Sequence, residues 1–257
     1  MISLRFFGTG GLEAARIRNK LSKDYRRFPT LLIDERILID PSEDIFEFVE
    51  TFMLSGILDE VRDVFITHSH LDSFSASAIE TLAKGVKLRV YASETLKEEI
   101  SSIENVEFIE IDPFSLHRIG GFSILALPAN HATDVPLEKA LNFLIEAQGK
   151  SIFYGIDGAF IDSDAFRVLK EIKLDVAILD FALGLSDYSK ESANHNNLSS
   201  VQTVRDVFLA SGVATEDTKF ILSHIPSGKK HPTHDEIREA LSELPFTPAY
   251  DGYFLGV

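Results

Sequence analysis

The chain has 257 residues, of which 45% are hydrophobic and 25% are charged, a composition typical of a folded globular protein. Its 40 acidic residues outnumber its 25 basic ones, and the formal charge of −15 argues against binding nucleic acid or an anionic membrane through a broad surface. The absence of cysteine excludes disulfide bonds, thiol catalysis and cysteine-bound metals. Any metal would therefore depend on His and carboxylate ligands.

The sequence carries no recognisable signal for export or membrane insertion. The opening MISLRFFGTGG lacks the apolar core and cleavage site of a signal peptide, and the richest apolar run, at 176–185, is short and interrupted by Asp180. We therefore expect a cytoplasmic protein. Because no long linker, repeat or low-complexity tract divides the chain, we expect one domain over residues 1–257.

In the first half of the chain, short apolar runs alternate with amphipathic ones. The pattern predicts strands at residues 2–7, 30–33, 36–39, 61–67, 86–92, 106–111 and 121–127. It predicts helices at 44–54, near 75–83 and from Ser93 onward. The first of these helices carries apolar residues on one face, at Ile45, Phe48, Val49 and Phe52.

The second half continues the alternation, with predicted strands at 141–146, 151–154, 174–181 and 220–223 and helices at 163–172 and 199–210. Gly212 is placed to end the second helix, and Thr233 with Glu236 forms a capping box that begins another. Asp251-Gly252 predicts a tight hairpin between two short strands. The mixed order, in two similar halves, indicates two central sheets with helices outside.

Two histidines and an aspartate follow one predicted strand at alternating positions. His68, His70 and Asp72 come directly after the strand at 61–67. Residues two apart on an extended segment face the same way, so two imidazoles at this spacing can bind one metal. Asp72, at the next such position, can hold a second metal or orient a ligand.

Three further residues able to bind a metal follow other predicted strands: His131, Asp157 and His224. Each alone could be an ordinary polar turn residue. Together they share a position at strand ends, where a rigid scaffold presents functional loops, and this predicts one metal site. A set of imidazoles and carboxylates suits Zn²⁺, with Mn²⁺ and Fe²⁺ as alternatives.

The motif Thr67-His68-Ser69-His70-Leu71-Asp72, followed at wide spacing by His131, Asp157 and His224, resembles the metallo-β-lactamase fold superfamily of hydrolases. Asp40 matches the early structural aspartate of that family. The motifs FGTG at 7–10, YGID at 154–157 and AYDG at 249–252 are similar to one phosphodiesterase branch. This branch includes phosphoribosyl cyclic phosphodiesterases and tRNA 3′-processing nucleases.

The resemblance implies an α/β fold of the αβ/βα type, a four-layer sandwich of two central mixed sheets and outer helices, with the site at one edge of the sheets. It implies a first metal held by His68, His70 and His131. It also implies a second metal held by Asp72 and His224, and a bridging role for Asp157.

One residue departs from the family pattern. The family usually has His-x-His-x-Asp-His, and this chain has Ser73 in place of the last histidine. A neutral hydroxyl is a poor Zn²⁺ ligand beside imidazole. We therefore expect one or two divalent metals, Zn²⁺ or Mn²⁺, with weaker or different loading of the second position.

The resemblance implies a metal-dependent phosphodiesterase that acts on a small phosphodiester, cyclic ones included, through a metal-bound hydroxide. Asp72 or Asp157 would orient the water. His195 matches the place of an additional active-site histidine in phosphodiesterase relatives, where it would act as general acid or phosphate ligand. The alternative for His195 is a polar loop residue, and we expect His117, His231 and His234 to be structural or solvated.

A short basic segment at 16–27 holds six basic residues and one acidic residue. It suits a small phosphate-bearing substrate, although a solvated loop explains it equally well. The candidate cations are Arg16, Arg18, Lys20, Lys23, Arg26 and Arg27, with Lys229 and Lys230 farther along the chain.

Other functions remain open on the same residues. A nuclease would need a more extended basic surface, so nucleic acid is not the expected partner. A lactone or thioester hydrolase would use the same metals beside an apolar pocket. A non-catalytic member that binds metal or ligand is the remaining alternative, with Ser73 its one support. The sequence leaves the existence of a homodimer open.

Overall fold

Two seven-stranded mixed sheets form the centre of the computed structural model, which describes residues 1–11, 17–187, 194–228 and 231–257. The first sheet contains, in spatial order, β14 (Phe254–Gly256), β1 (Ser3–Gly8), β2 (Thr30–Ile33), β3 (Ile37–Ile39), β4 (Asp63–Phe65), β5 (Leu88–Ala92) and β6 (Val106–Glu110). The second contains β13 (Phe246–Pro248), β12 (Lys219–Ser223), β11 (Val176–Asp180), β10 (Lys150–Gly155), β9 (Leu141–Ala147), β8 (Phe122–Pro128) and β7 (Leu116–Ile119).

Both sheets follow the same plan of antiparallel strands continued by parallel ones. In the first sheet β14, β1, β2 and β3 pair antiparallel, and β3 to β6 pair parallel. In the second sheet β7 to β10 pair antiparallel, and β10 to β13 pair parallel. Parallel neighbours end at the same edge, so the loops after β4, β10, β11 and β12 can approach one another.

Helices cover the outer face of each sheet. Those beside the first sheet are α1 (Asp44–Thr51), α2 (Ala76–Leu82) and the short α3 (Lys97–Ser101). Those beside the second are α4 (Ser163–Leu169), α5 (Leu198–Ser211) and α6 (His234–Ala240). Gly212 ends α5 with a left-handed φ of 79°, and the capping box of Thr233 and Glu236 begins α6, both as predicted.

The apolar core divides into three clusters, which define the layers. Alternate residues of β1 and β10, such as Leu4 and Tyr154, pack between the sheets. Phe48 of α1 packs under the first sheet, and Phe208 of α5 packs under the second. The order of layers is therefore helix, sheet, sheet, helix, which confirms the predicted four-layer sandwich. In the described part of the chain, no helix is long and apolar enough to cross a lipid bilayer.

The predicted C-terminal hairpin is wrong. The strands that flank Asp251-Gly252 belong to different sheets, since β13 pairs with β12 and β14 pairs with β1. The turn instead connects the two sheets. Asp251 accepts hydrogen bonds from the Thr9 hydroxyl at 2.9 Å and the Arg27 amide at 2.8 Å, and these tertiary bonds replace those of a hairpin.

Some element bounds also differ from the prediction. The strand predicted at 61–67 is limited to β4 at Asp63–Phe65, so His68 lies in an irregular loop rather than directly after a strand. The edge strand β7 was not predicted, because exposed and half-buried residues alternate in it without an apolar run. The helix predicted from Ser93 is a 3₁₀ turn at Glu94–Leu96 followed by α3.

Candidate metal centre

The loops after four strands bring the predicted site residues to one edge of the two sheets. His68, His70 and Asp72 follow β4 of the first sheet. The other three follow β8, β10 and β12 of the second sheet, and they are His131, Asp157 and His224. A cavity of about 630 Å³ is lined by residues of both sets, including His70, Asp72 and His131. The site therefore lies where the two sheets meet.

Three imidazoles converge in what we call the three-imidazole group: His68, His70 and His131. Nδ1 of His70 lies 2.9 Å from Nε2 of His68 and 3.2 Å from Nε2 of His131. Ligand nitrogens on a tetrahedral Zn²⁺ are about 3.3 Å apart, given Zn–N bonds of about 2.0–2.1 Å. The three nitrogens therefore fit the donor set of one Zn²⁺ or similar cation.

Two residues behind His68 fix the orientation of its ring. Asp40, with a left-handed φ of 52°, accepts bonds from the Thr67 amide at 2.8 Å and the Thr67 hydroxyl at 2.9 Å. Because that hydroxyl already donates to Asp40, it can only accept from Nδ1 of His68, 3.0 Å away. The proton therefore lies on Nδ1, which leaves the lone pair of Nε2 directed at the other imidazoles.

A second set of ligands, which we call the carboxylate group, contains Asp72, Asp157 and His224. Nε2 of His224 lies 3.2 Å from Oδ2 of Asp72 and 3.3 Å from Oδ1 of Asp157. Oδ1 of Asp72 and Oδ2 of Asp157 are buried, and neither has a hydrogen-bond partner among the described residues. Buried carboxylate oxygens are costly without a partner, so these atoms fit a bound divalent cation.

Asp180, at the end of β11, is a site residue that the sequence analysis missed. Its Oδ2 lies 2.8 Å from Nδ1 of His224 and 3.1 Å from Nδ1 of His195. Its Oδ1 accepts a bond from the Asn196 amide at 2.8 Å. The sequence did contain a signal for Asp180. It is an aspartate at the end of an apolar strand, a position similar to that of Asp157.

Both of these histidines are therefore held from their Nδ1 side. In His224 this leaves Nε2 for the carboxylate group. In His195 it leaves Nε2 as the ring nitrogen that does not bond to Asp180, and the ring centre lies 5.3 Å from those of His131 and His224. The structure thus brings His195 to the site, where only 6% of its surface is exposed.

The two ligand groups have different electrostatics. Burial and neighbouring imidazoles hold the pKa of His131 at about 4 and that of His68 well below its ordinary value, so both are neutral, as metal ligation requires. Burial opposes charge on His224 too, but the facing carboxylates, Asp157 first, raise its pKa well above the ordinary value.

The carboxylates of the second group respond differently to the same surroundings. Burial raises the pKa of Asp157 to about 7. Burial acts in the same direction on Asp72, but the hydrogen bond from His224 and the charges of His224 and His68 together outweigh it, and the pKa of Asp72 is about 2. In the carboxylate group, the positive charge of His224 and the negative charge of Asp72 attract each other. In the three-imidazole group, His68 and His131 are neutral.

Ser73 is fully buried next to Asp72, and its hydroxyl has no hydrogen-bond partner in the described part of the chain. The carboxylate group therefore contains one imidazole and two carboxylates, a harder donor set than the three imidazoles beside it. His224 and Asp157 have left-handed φ angles of 55° and 51°. Such backbone conformations are uncommon outside glycine and cluster at functional sites.

Two residues of the basic segment are buried and bond to other residues of the protein. Arg26 and Arg27 are buried: Arg26 donates to the Thr9 hydroxyl at 2.9 Å, and Arg27 pairs with Asp251 at 3.1 Å. Neither is available to a substrate, contrary to the hypothesis for these two residues. Of the other candidate cations, Lys20 pairs with Glu47, Lys23 lies over the Tyr250 ring, Arg18 is exposed, and Arg16, Lys229 and Lys230 lie outside the described residues.

Of the two roles expected for His234, structural or solvated, the structure shows the first, because the residue is buried. Its Nδ1 lies 3.5 Å from a guanidinium nitrogen of Arg26, and its ring packs edge-on against Tyr250. Burial, with the Arg26 charge, lowers its pKa to about 4. It is a neutral packing residue, and only the tertiary contacts of α6 reveal this.

The fold and the ligand geometry define a metallo-hydrolase sandwich, and comparison with known proteins agrees. Residues 35–241 match the family model of the beta-lactamase superfamily domain, and the chain belongs to that family. No curated protein matches the chain significantly by sequence.

Solved structures with the same fold cover nearly the whole chain. The metallo-beta-lactamase fold protein YhfI from Bacillus subtilis is 16% identical with a TM-score of 0.75, over 99% of this chain and 98% of that one. A diphosphatase of the PhnP family is 16% identical with a TM-score of 0.74, over 100% and 98%. The short form of human tRNase Z is 16% identical with a TM-score of 0.68, over 99% of each chain.

Proposed function

We propose that the protein is a metal-dependent phosphodiesterase that acts on small phosphodiesters, cyclic ones included. The observation that carries this proposal is the placement of His195, which Asp180 holds through Nδ1 beside both ligand groups. Cleavage of a phosphodiester with an alkoxide leaving group needs such a proton donor. The likeness to a diphosphatase and to a tRNase Z supports phosphorus–oxygen chemistry on this fold.

The donor sets support one or two divalent cations, Zn²⁺ at the three-imidazole group and Zn²⁺ or Mn²⁺ at the carboxylate group. His68, His70 and His131 would hold the first, and Asp72, Asp157 and His224 the second. A cation bound there supplies a Lewis acid that lowers the pKa of water and offsets charge on a phosphoryl oxygen.

The residues around the cations would position the reactants. Asp72 or Asp157 would orient the attacking water by accepting a hydrogen bond through a carboxylate oxygen that does not hold the cation. His195 donates its Nε2 proton to the departing oxygen. Burial opposes the charge on His195, but the bond to Asp180 raises its pKa above the ordinary value and keeps that proton available.

The experiment is a substrate panel assayed with the metal-loaded protein. It compares bis(p-nitrophenyl) phosphate, a dialkyl phosphodiester, a lactone and a thioester. The proposal predicts metal-dependent hydrolysis of the two phosphodiesters. Turnover of the lactone or thioester alone would contradict it and favour a carboxyl-ester hydrolase, and metal binding without any turnover would favour a binding protein.

His195→Ala tests the proton-donor role within the same panel. We expect a loss of about 10²–10⁴-fold on the dialkyl diester, whose leaving group needs a proton, and a much smaller loss on the p-nitrophenyl ester. His117→Ala is the matched control, because His117 lies on β7 against Phe65 and Tyr91, away from the ligand groups. Equal losses on both esters would rule out the acid role.

A further inference from the structure

A second cavity of about 680 Å³ adjoins the metal centre and has no role in the chemistry described so far. Phe28, Ser69, Leu71 and Val135 line both this cavity and the one that contains the candidate ligands. The two spaces are therefore neighbours with a shared wall, and a ligand can extend from one into the other. We call the second space the side cavity. Its volume is in the range of small-molecule sites.

Hydroxyl groups supply much of the polar lining of the side cavity. They belong to Ser42, Ser69, Ser75, Ser77 and Thr95. Ser69 and Thr95 donate to the same carboxylate, that of Glu138, at 2.6 and 3.2 Å, which fixes their orientation. The hydroxyl of Ser42 is buried and, within residues 1–11, 17–187, 194–228 and 231–257, has no hydrogen-bond partner. Such a lining exchanges hydrogen bonds with a ligand that itself carries hydroxyl groups.

The described residues that line the side cavity carry only negative charges. Glu43, Asp44 and Glu99 contribute carboxylates, and no Lys or Arg lines it among the described residues. Within the described chain, neither Glu43 nor Glu99 forms an ion pair with a basic residue. A phosphate group placed here would be repelled, because like charges a few ångströms apart disfavour one another even near the surface.

One apolar side chain at the wall between the cavities is unusually exposed. Leu71 lies between His70 and Asp72, and 86% of its surface is exposed. Phe28 and Phe74 line the same space. These side chains offer an apolar surface for the face of a sugar ring or base, beside hydroxyls and carboxylates that can bond to its edge.

We propose that the side cavity binds a neutral, polyhydroxylated arm of the diester, a nucleoside or similar sugar, and that its carboxylates discriminate against an arm with an additional phosphate. This inference rests on the proposed phosphodiesterase function. It concerns the arm of the substrate, whereas the metal centre acts on the phosphodiester itself.

Three substrates with the same p-nitrophenyl leaving group test the inference. The first is methyl p-nitrophenyl phosphate, the second replaces methyl with thymidine joined through its sugar, and the third adds a phosphate to the remaining sugar hydroxyl of the second. We expect kcat/KM to be about tenfold higher for the thymidine ester than for the methyl ester, mainly through KM. The added phosphate should remove that gain.

Charge reversal at the cavity provides the sharper comparison. In Glu43→Lys and Glu99→Lys, we expect the ratio of kcat/KM for the phosphorylated ester over the neutral thymidine ester to rise on the order of three- to tenfold. Hydrolysis of the methyl ester reports whether each variant is folded and active. Glu239→Lys, an exposed residue of α6 outside the lining of either cavity, is the control for the overall change in charge.

The outcomes separate the two proposals. Hydrolysis of the methyl ester with no preference for thymidine, or with no response to the lysine variants, would overturn the side-cavity proposal and leave the phosphodiesterase intact. A preference for the phosphorylated ester would overturn it as well. Failure to hydrolyse any of the three esters would count against the proposed function itself.

Discussion

A single oxygen of Asp180 lies within 3.1 Å of Nδ1 of both His195 and His224. Through these contacts one buried carboxylate sets the orientation of a candidate metal ligand and of the candidate proton donor. Ligand-orienting groups of this kind usually affect metal affinity or activity about 10–100-fold when they are changed. Asp180 is therefore a positioning residue whose effect reaches both parts of the site.

We predict that Asp180→Asn weakens metal binding at the carboxylate group about tenfold or more and steepens the dependence of kcat on the leaving group, because the alkyl leaving group loses its proton donor. The measurement is metal affinity by competition with a chelator, combined with the alkyl-to-aryl activity ratio. Asp175→Asn is the matched control, since Asp175 pairs with Lys150 at 2.6 Å outside the site. Unchanged affinity and an unchanged ratio would contradict the positioning role.

Ser73 defines a second prediction at this scale. In Ser73→His, an added imidazole should convert the carboxylate group into a better Zn²⁺ site, and dialysed protein should retain about one more metal per chain than the wild type. Elemental analysis after dialysis measures this. Ser77→His, on α2, controls for a histidine that is merely added. Equal retention by Ser73→His and wild type would show that Ser73 does not limit loading.

The sequence was sufficient to predict the residues that follow strands, because strand ends can be read from apolar runs. It was not sufficient for Asp180, whose role depends on two histidines more than ten positions away in the chain. Nor did it reveal the burial of His234, because the residues that cover a helix come from distant segments. The metal roles of the predicted ligands themselves stay predictions until the metal is measured.

At the scale of elements, the end of β1 lies very close to the backbone of the segment at Phe28. A Cβ on Gly8 would lie 1.7 Å from the carbonyl oxygen of Phe28. The loop after β1 continues to Gly10 and Gly11, whose amides bond to Arg27 at 2.8 Å and to Ile225 at 3.1 Å. Ile225 directly follows His224, so this contact supports the backbone of a candidate ligand.

We predict that Gly8→Ala destabilises the protein by about 3 kcal/mol or more, because the added methyl group forces β1 away from the segment at Phe28. Gly85→Ala is the control. There φ is +81° and no atom lies within 4 Å of a Cβ, so only about 1–2 kcal/mol of backbone strain is expected. Urea unfolding measures both free energies, and similar losses in the two variants would contradict the steric explanation.

The type of each element, helix or strand, was easier to predict than which strands pair with one another. Apolar runs and caps located most strands and the helices α5 and α6, since these signals are local. The pairing of β13 and β14 was not predictable from Asp251-Gly252, because a turn sequence specifies local geometry and not which sheet each flanking strand joins. Tertiary bonds from Thr9 and Arg27 to Asp251 decide that pairing.

At the scale of the whole molecule, the candidate site joins the two sheets. The three-imidazole group takes His68 and His70 from the first sheet and His131 from the second, and the carboxylate group is divided in the same way. A cation bound by both sides would therefore connect the halves of the sandwich, and binding only to the folded state adds to stability.

We predict that chelation lowers the thermal unfolding temperature by several degrees, and that adding Zn²⁺ or Mn²⁺ restores it in a concentration-dependent way. Scanning calorimetry measures this. His131→Ala, which removes the contribution of the second sheet to the three-imidazole group, should abolish most of the response. If neither chelator nor added metal changed the unfolding temperature, the proposal that a cation links the two sheets would be wrong.

The most direct test of the account is hydrolysis of bis(p-nitrophenyl) phosphate by protein of measured metal content, before chelation, after it and after reloading. The account predicts about one or two metals per chain, loss of turnover with the metal, and recovery when Zn²⁺ or Mn²⁺ is returned. Undiminished turnover by metal-free protein, or failure to bind any divalent metal, would contradict it.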